Sequence, residues 1–95
     1  VPSLFIDGQW VASGDGMCMP VVNPSDATLI TEVDVATDAQ VQAAIAAARR
    51  AFDGSDWPRS PTAERAAILD RVADLIDRDL ETMARLETQD TGKAM

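Results

Sequence analysis

The chain has 95 residues, 46% of them hydrophobic, and its sixteen acidic side chains outnumber eight basic ones for a net charge of −8. That length supports one modest core at most, because so short a chain buries only about 60% of the surface its extended form exposes. The scattered acidic excess, with Arg49-Arg50 as the only adjacent basic pair, argues for an ordinary solvated surface and against nucleic acid as a partner. No apolar run approaches the roughly 20 residues that cross a bilayer, and the first residues lack both the basic start and the apolar length of a signal peptide. A single cysteine, Cys18, does not suit a small secreted fold, which would carry cysteine pairs. The expectation is a cytoplasmic chain with no membrane association.

In chain order, Leu4-Phe5-Ile6, Asp7-Gly8 and Gln9-Trp10-Val11 predict a strand, a tight turn and a second strand. Asp-Gly tolerates the positive φ of a type I′ turn. A hairpin this short is marginal alone and must lie on something larger. Ser13-Gly14-Asp15-Gly16 reads as a flexible turn, and Cys18 to Val22 as extended. Asn23-Pro24-Ser25-Asp26 is the next punctuation, since proline keeps Asn23 out of the helical region. From Ile30 to Val35 the residues alternate as in a half-exposed strand.

Thr37 is a good N-cap, and Gln40 completes a Thr-x-x-Gln capping box. Val41, Ala44, Ile45, Ala48 and Phe52 then recur at helical spacing. Two of the five are alanine, so the stripe permits close approach to a neighbour at those positions but contributes little area there. Gly54 is expected to stop the helix in the left-handed position. Trp57-Pro58 lies in a linker, and Ser60-Pro61 reads as N-cap plus N1 proline. Leu69, Val72, Ala73, Ile76, Leu80 and Met83 carry the next apolar stripe, with a break near Asp77 to Asp79 and Asp79 able to cap a third helix. Asp74–Arg78 and Glu81–Arg85 are i,i+4 pairs with the acid N-terminal.

Little of this carries chemistry. There is no histidine and no tyrosine, which removes the commonest neutral-pH base and the triad arrangements built on it. Cys18 has no sequence neighbour that activates a thiol and reads as structural. Asp70, Asp74 and Asp77 read as a solvated helix face, because a divalent ion takes carboxylates from several elements. Asp90-Thr91-Gly92-Lys93 lacks the glycines of a phosphate loop and reads as a helix end, with Gly92 left-handed and Lys93 near the negative end of the dipole.

The order and spacing of these signals resemble the N-terminal region of the NAD(P)-dependent aldehyde dehydrogenases over nearly the whole chain. The matching stretches are Leu4 to Trp10, Val22-Asn23-Pro24-Ser25, Ile30-Thr31-Glu32-Val33, the Val41 to Phe52 helix, Trp57, Ala63 to Leu69, and Leu86 to Lys93. Ala94 departs from the pattern, where the family usually has proline after Gly-Lys. The resemblance implies an α/β fold and a parent with a Rossmann-like coenzyme domain, a catalytic domain and an oligomerisation arm. Residues 1–95 would form an incomplete N-terminal part of the coenzyme domain, a hairpin and short strands followed by three helices. It implies an aldehyde substrate oxidised to a carboxylic acid with NAD or NADP through a cysteine thiohemiacetal and thioester. That cysteine, the water-activating glutamate and the coenzyme contacts would all lie beyond Met95, past which the parent is expected to continue. Cys18 does not match the catalytic cysteine, so no residue here is assigned to catalysis or to coenzyme binding.

The resemblance also implies a structural potassium or sodium ion held by the backbone carbonyls of Val21 or Val22 and by Asp90, and a homodimer or homotetramer. Two other readings remain open. One is a small acidic helical module that binds a partner or carries an acyl group, against which stand the hairpin and the alanine-containing stripe. The other is a structural segment of a catalytically inactive parent.

Overall fold

The computed structural model describes all 95 residues as two compact units, one of residues 1–21 and 29–55 and the other of residues 22–28 and 56–95. In the first, β1 (Leu4–Ile6) pairs antiparallel with β2 (Gln9–Val11), with Phe5 opposite Trp10. Asp7 (φ 51°) and Gly8 (φ 77°) both take positive φ, as a type I′ turn requires. The Phe5 and Trp10 rings meet tilted at 5.0 Å between centroids. A second two-stranded sheet joins β3 (Cys18–Val22) to β4 (Leu29–Asp34). Along β4 the expected alternation is blurred: Thr31 and Glu32 are both exposed, while Val33, Asp34 and Val35 are all half-buried. Asp34 has specific polar partners before β1, at Ser3, and after β2, at Ser13, and these shield its end of the strand.

Helix α1 (Asp38–Gly54) starts as the sequence predicts. Thr37 Oγ1 accepts the Gln40 N–H at 3.2 Å, and Gln40 Oε1 accepts the Thr37 N–H at 3.1 Å. The helix lies against β1. Its half-buried positions, Gln40, Ala44 and Ala47, form one face. The expected stripe is displaced from that face: Val41, Ile45 and Phe52 stay exposed. Small side chains allow the close approach, and the bulky ones stay largely solvent-facing, Phe52 with the Arg49 guanidinium 5.4 Å from its ring centroid. Gly54 does not take the left-handed position either. It is the last helical residue, and extended Ser55 caps the helix (φ −109°), with its hydroxyl donating to the Ala51 carbonyl.

The second unit opens with residues 22–28. Asn23 Oδ1 accepts the Ser25 N–H at 2.9 Å, its carbonyl accepts the Ala27 N–H at 2.8 Å, and its own N–H donates to the Thr28 carbonyl at 2.8 Å. A single 3₁₀ turn (Trp57–Arg59), absent from the sequence expectation, is closed by the Ser60 N–H on the Trp57 carbonyl. Because Ser60 caps that turn, the start of α2 (Thr62–Arg78) shifts by one residue and Pro61 occupies its N-cap. Helix α3 (Leu80–Thr91) follows after the break at Asp79. Asp79 sits at the junction, but its carboxylate pairs with Arg78 at 2.7 Å and makes no side-chain cap. Arg78 is thereby taken from Asp74, whereas Glu81–Arg85 forms as expected at 2.5 Å. No residue of the chain is fully buried, and Leu69, Val72, Ile76, Leu80 and Met83 all lie exposed.

Candidate functional site

The densest polar cluster centres on Asp34. Its Oδ2 accepts the Ser3 N–H at 2.8 Å and the Ser3 hydroxyl at 2.9 Å, and its Oδ1 accepts the Ser13 N–H at 2.8 Å. The Asp34 N–H in turn donates to Ser3 Oγ at 2.6 Å. The Ser13 N–H, then the Ser3 N–H and hydroxyl, hold the Asp34 carboxyl below the usual carboxylate range. Ser13 Oγ is shared between Asp15 Oδ1 at 2.7 Å and the Val35 carbonyl at 2.6 Å, and that hydroxyl lowers Asp15 as well. Nothing local in the sequence foretells the cluster, because its members stand 21 and 31 residues apart.

Cys18 is a free, exposed thiol at the start of β3. Its sulfur lies 3.9 Å from the Gly16 carbonyl and 3.9 Å from Asp34 Oδ1. Both neighbours are acceptors, and no histidine is present to pair with the sulfur as in cysteine nucleophile sites. Asp70, Asp74 and Asp77 lie exposed along α2, and no group of three His, Cys, Asp or Glu side chains converges as a metal cluster.

Val21 and Val22 occupy the last two positions of β3, Val21 half-buried and Val22 exposed, directly before the Asn23-Pro24 turn. Asp90 lies exposed in the last turn of α3, which itself contains no basic residue. Glu87 in that turn faces Lys93 Nζ at 3.8 Å. Gly92 ends the helix in the left-handed conformation (φ 73°), its N–H on the Thr88 carbonyl at 2.9 Å. The Lys93 N–H then donates to Thr91 Oγ1 at 3.2 Å. Thr91-Gly92-Lys93 is therefore a helix terminus and not a phosphate cradle.

A hairpin, a second strand pair and three helices with uncovered apolar faces define an α/β chain that carries structure but no assembled catalytic group. The profile of the aldehyde dehydrogenase family matches residues 10–95, and the chain belongs to that family. An aldehyde dehydrogenase of Emericella nidulans is 42% identical over 91 residues, covering 96% of this chain and 18% of the relative. Retinal dehydrogenase 2 of Mus musculus is 40% identical over 91 residues, with 95% and 18% covered. Among solved structures, betaine aldehyde dehydrogenase of Staphylococcus aureus in complex with NAD+ superposes with a TM-score of 0.90 at 38% identity, over 95% of this chain and 18% of that one. The chain thus spans about a fifth of the length of the relatives it matches. No helix is long and apolar enough to cross a membrane.

Proposed function

We propose that residues 1–95 are the N-terminal segment of an NAD(P)-dependent aldehyde dehydrogenase, forming part of its coenzyme domain and contributing no catalytic residue. The observation that carries this reading is the family match over residues 10–95, supported by the shared fold at 38% identity with an enzyme that holds NAD+. In the whole protein a cysteine supplied by a later segment attacks the aldehyde carbon to give a thiohemiacetal. Hydride then leaves to a bound nicotinamide, the acceptor that makes the step an oxidation. Water activated by a glutamate, also from a later segment, releases the carboxylic acid from the thioester. The task of residues 1–95 is packing: the exposed faces with Val41, Ile45 and Phe52 on α1 and Leu69, Val72 and Ile76 on α2 are suited to cover later elements. A small self-contained binding module is not favoured, since no residue of the chain is buried.

The aldehyde itself is not decided by this segment. Enzymes named for retinal and for betaine aldehyde match it at 40% and 38% identity, too alike to separate them. NAD, carried over from the structural relative, is the first coenzyme to test, with NADP the alternative. The reading extends to a cytoplasmic homodimer or homotetramer, on the family resemblance alone. It also includes a potassium or sodium ion on the Val21 or Val22 carbonyl and Asp90. In support, Asp90 adds negative charge where the α3 dipole is already negative, a placement that favours a cation, and the one lysine at this helix end is directed to Glu87.

The test is coenzyme reduction followed at 340 nm with the full-length protein, NAD+ or NADP+, and a panel of short aliphatic aldehydes, betaine aldehyde and retinal. Turnover of at least one aldehyde is expected. Absence of turnover on every aldehyde, together with absence of coenzyme binding by calorimetry, would overturn the reading.

A further inference from the structure

We propose that Asp34 is a charge-dependent clasp: its ionised carboxylate locks the segment before β1 and the loop after β2 onto the end of β4, and neutralising it frees residues 1–13 locally. The hairpin needs such a device. Each of its strands has three residues, and an isolated two-stranded ribbon is marginal in water. Its other polar ties hold different points. Arg50 meets Asp7 at the turn at 3.1 Å with both side chains mostly exposed, a kind of pair that contributes little. Gln40 holds the exit loop through the Ala12 carbonyl at 2.8 Å and the Gly14 N–H at 3.0 Å. Asp34 alone reaches the entry, at Ser3, and it grips the exit at Ser13 with its second oxygen.

The clasp depends on charge because a carboxylate accepts on both oxygens, whereas its protonated or amide form turns one of them into a donor facing an N–H. The groups around it leave it ionised without a counter-ion. The Cys18 thiol lies 3.9 Å from Oδ1, and Asp15 shares the Ser13 hydroxyl. No arginine or lysine touches it, so salt should leave the clasp unchanged. Its donors lower the folded carboxyl's pKa. The contribution is therefore complete above the unfolded carboxyl's pKa and is lost only as pH falls through the lower folded value. The clasp stays closed at neutral and mildly acidic pH, and Asp34→Asn reproduces its open state at pH 7.

Hydrogen-exchange mass spectrometry on the full-length protein at pH 7 tests this, comparing peptides over 1–13 with peptides over 44–54. In Asp34→Asn, exchange over 1–13 should accelerate by about tenfold, the scale of one charge-assisted hydrogen bond, at low and high salt alike, while 44–54 is unchanged. Ser3→Ala keeps the charge and the Ser3 N–H contact and removes only the hydroxyl's two contacts. It should accelerate exchange over 1–6 by less than Asp34→Asn does and leave the Ser13 amide protected. Unchanged exchange over 1–13 in Asp34→Asn would overturn the proposal, as would equal acceleration over 44–54. Should Asp34→Asn fail to fold, unchanged exchange over 1–6 in Ser3→Ala would overturn it independently.

Discussion

Gln40 does more than complete a capping box, and removing its side chain should reveal the difference. Its Oε1 accepts the Thr37 N–H at 3.1 Å and the Gly14 N–H at 3.0 Å, and its Nε2 donates to the Ala12 carbonyl at 2.8 Å. Each neutral hydrogen bond contributes about 0.5–1.5 kcal/mol net, so three partly solvated bonds place the local cost of Gln40→Ala near ~2 kcal/mol. Thr37→Ala removes only the cap and should cost about 1 kcal/mol. Amide exchange in the full-length protein reads both, because a local loss of one to two kcal/mol raises the open population about 5–30-fold. Gln40→Ala should speed exchange at Gly14 as well as in the first turn of α1, whereas Thr37→Ala should spare Gly14. Gln40→Glu keeps both accepting contacts and places an anion at a helix N-terminus, but it sets a carboxylate oxygen against the Ala12 carbonyl. It should protect the first turn of α1 better than alanine does without restoring the tie to Ala12. An unchanged Gly14 amide in Gln40→Ala would refute the claim that this side chain ties the loop to the helix.

Other expectations are simpler. Gly92→Ala forces an L-residue into φ 73° and brings Cβ to 3.3 Å from Pro24 Cγ, so urea denaturation of the full-length protein should register a loss of about 1–2 kcal/mol. Gly92→Asn should recover part of it, since asparagine tolerates the left-handed region. A peptide of residues 1–95 should bind the dye ANS through its uncovered apolar faces and show no saturable micromolar binding of NAD+ or NADP+ by calorimetry; such binding would refute the assignment of coenzyme contacts to later segments. In the full-length protein, Asp90→Ala should flatten the dependence of Tm on potassium or sodium relative to a bulky organic cation, through loss of an ion bound by the native state alone. Identical cation dependence in mutant and wild type would leave Asp90 as a turn residue.

The features legible in the sequence are those whose physics is local. Asp7-Gly8 announces two positive φ values, Thr37 and Gln40 announce a cap, and Gly92 announces a left-handed stop, and each is found where expected. The failures share a different cause. Residue type places Gly54 and Ser60 at helix ends, yet Ser55 closes α1 and the 3₁₀ turn recruits Ser60. Asp79 could cap α3, but an adjacent arginine offers a charge-assisted partner at 2.7 Å, a stronger bond than a neutral N–H provides. Competition between partners decides such cases, and residue type alone does not rank them.

The candidate sites divide along the same line. Asp34 was one letter in an alternating strand, and only folding brings Ser3 and Ser13 to it. On α1, periodicity picks out Val41, Ala44, Ile45, Ala48 and Phe52 as the apolar stripe, of which only Ala44 lies on the half-buried face of Gln40, Ala44 and Ala47. Both faces are apolar enough to be covered, and the short hairpin can approach closely only where the side chains are small. Val41, Ile45 and Phe52 are therefore left as an exposed apolar surface. This is why helical spacing revealed that α1 has a face to bury, and family membership was needed to say what kind of protein would bury it.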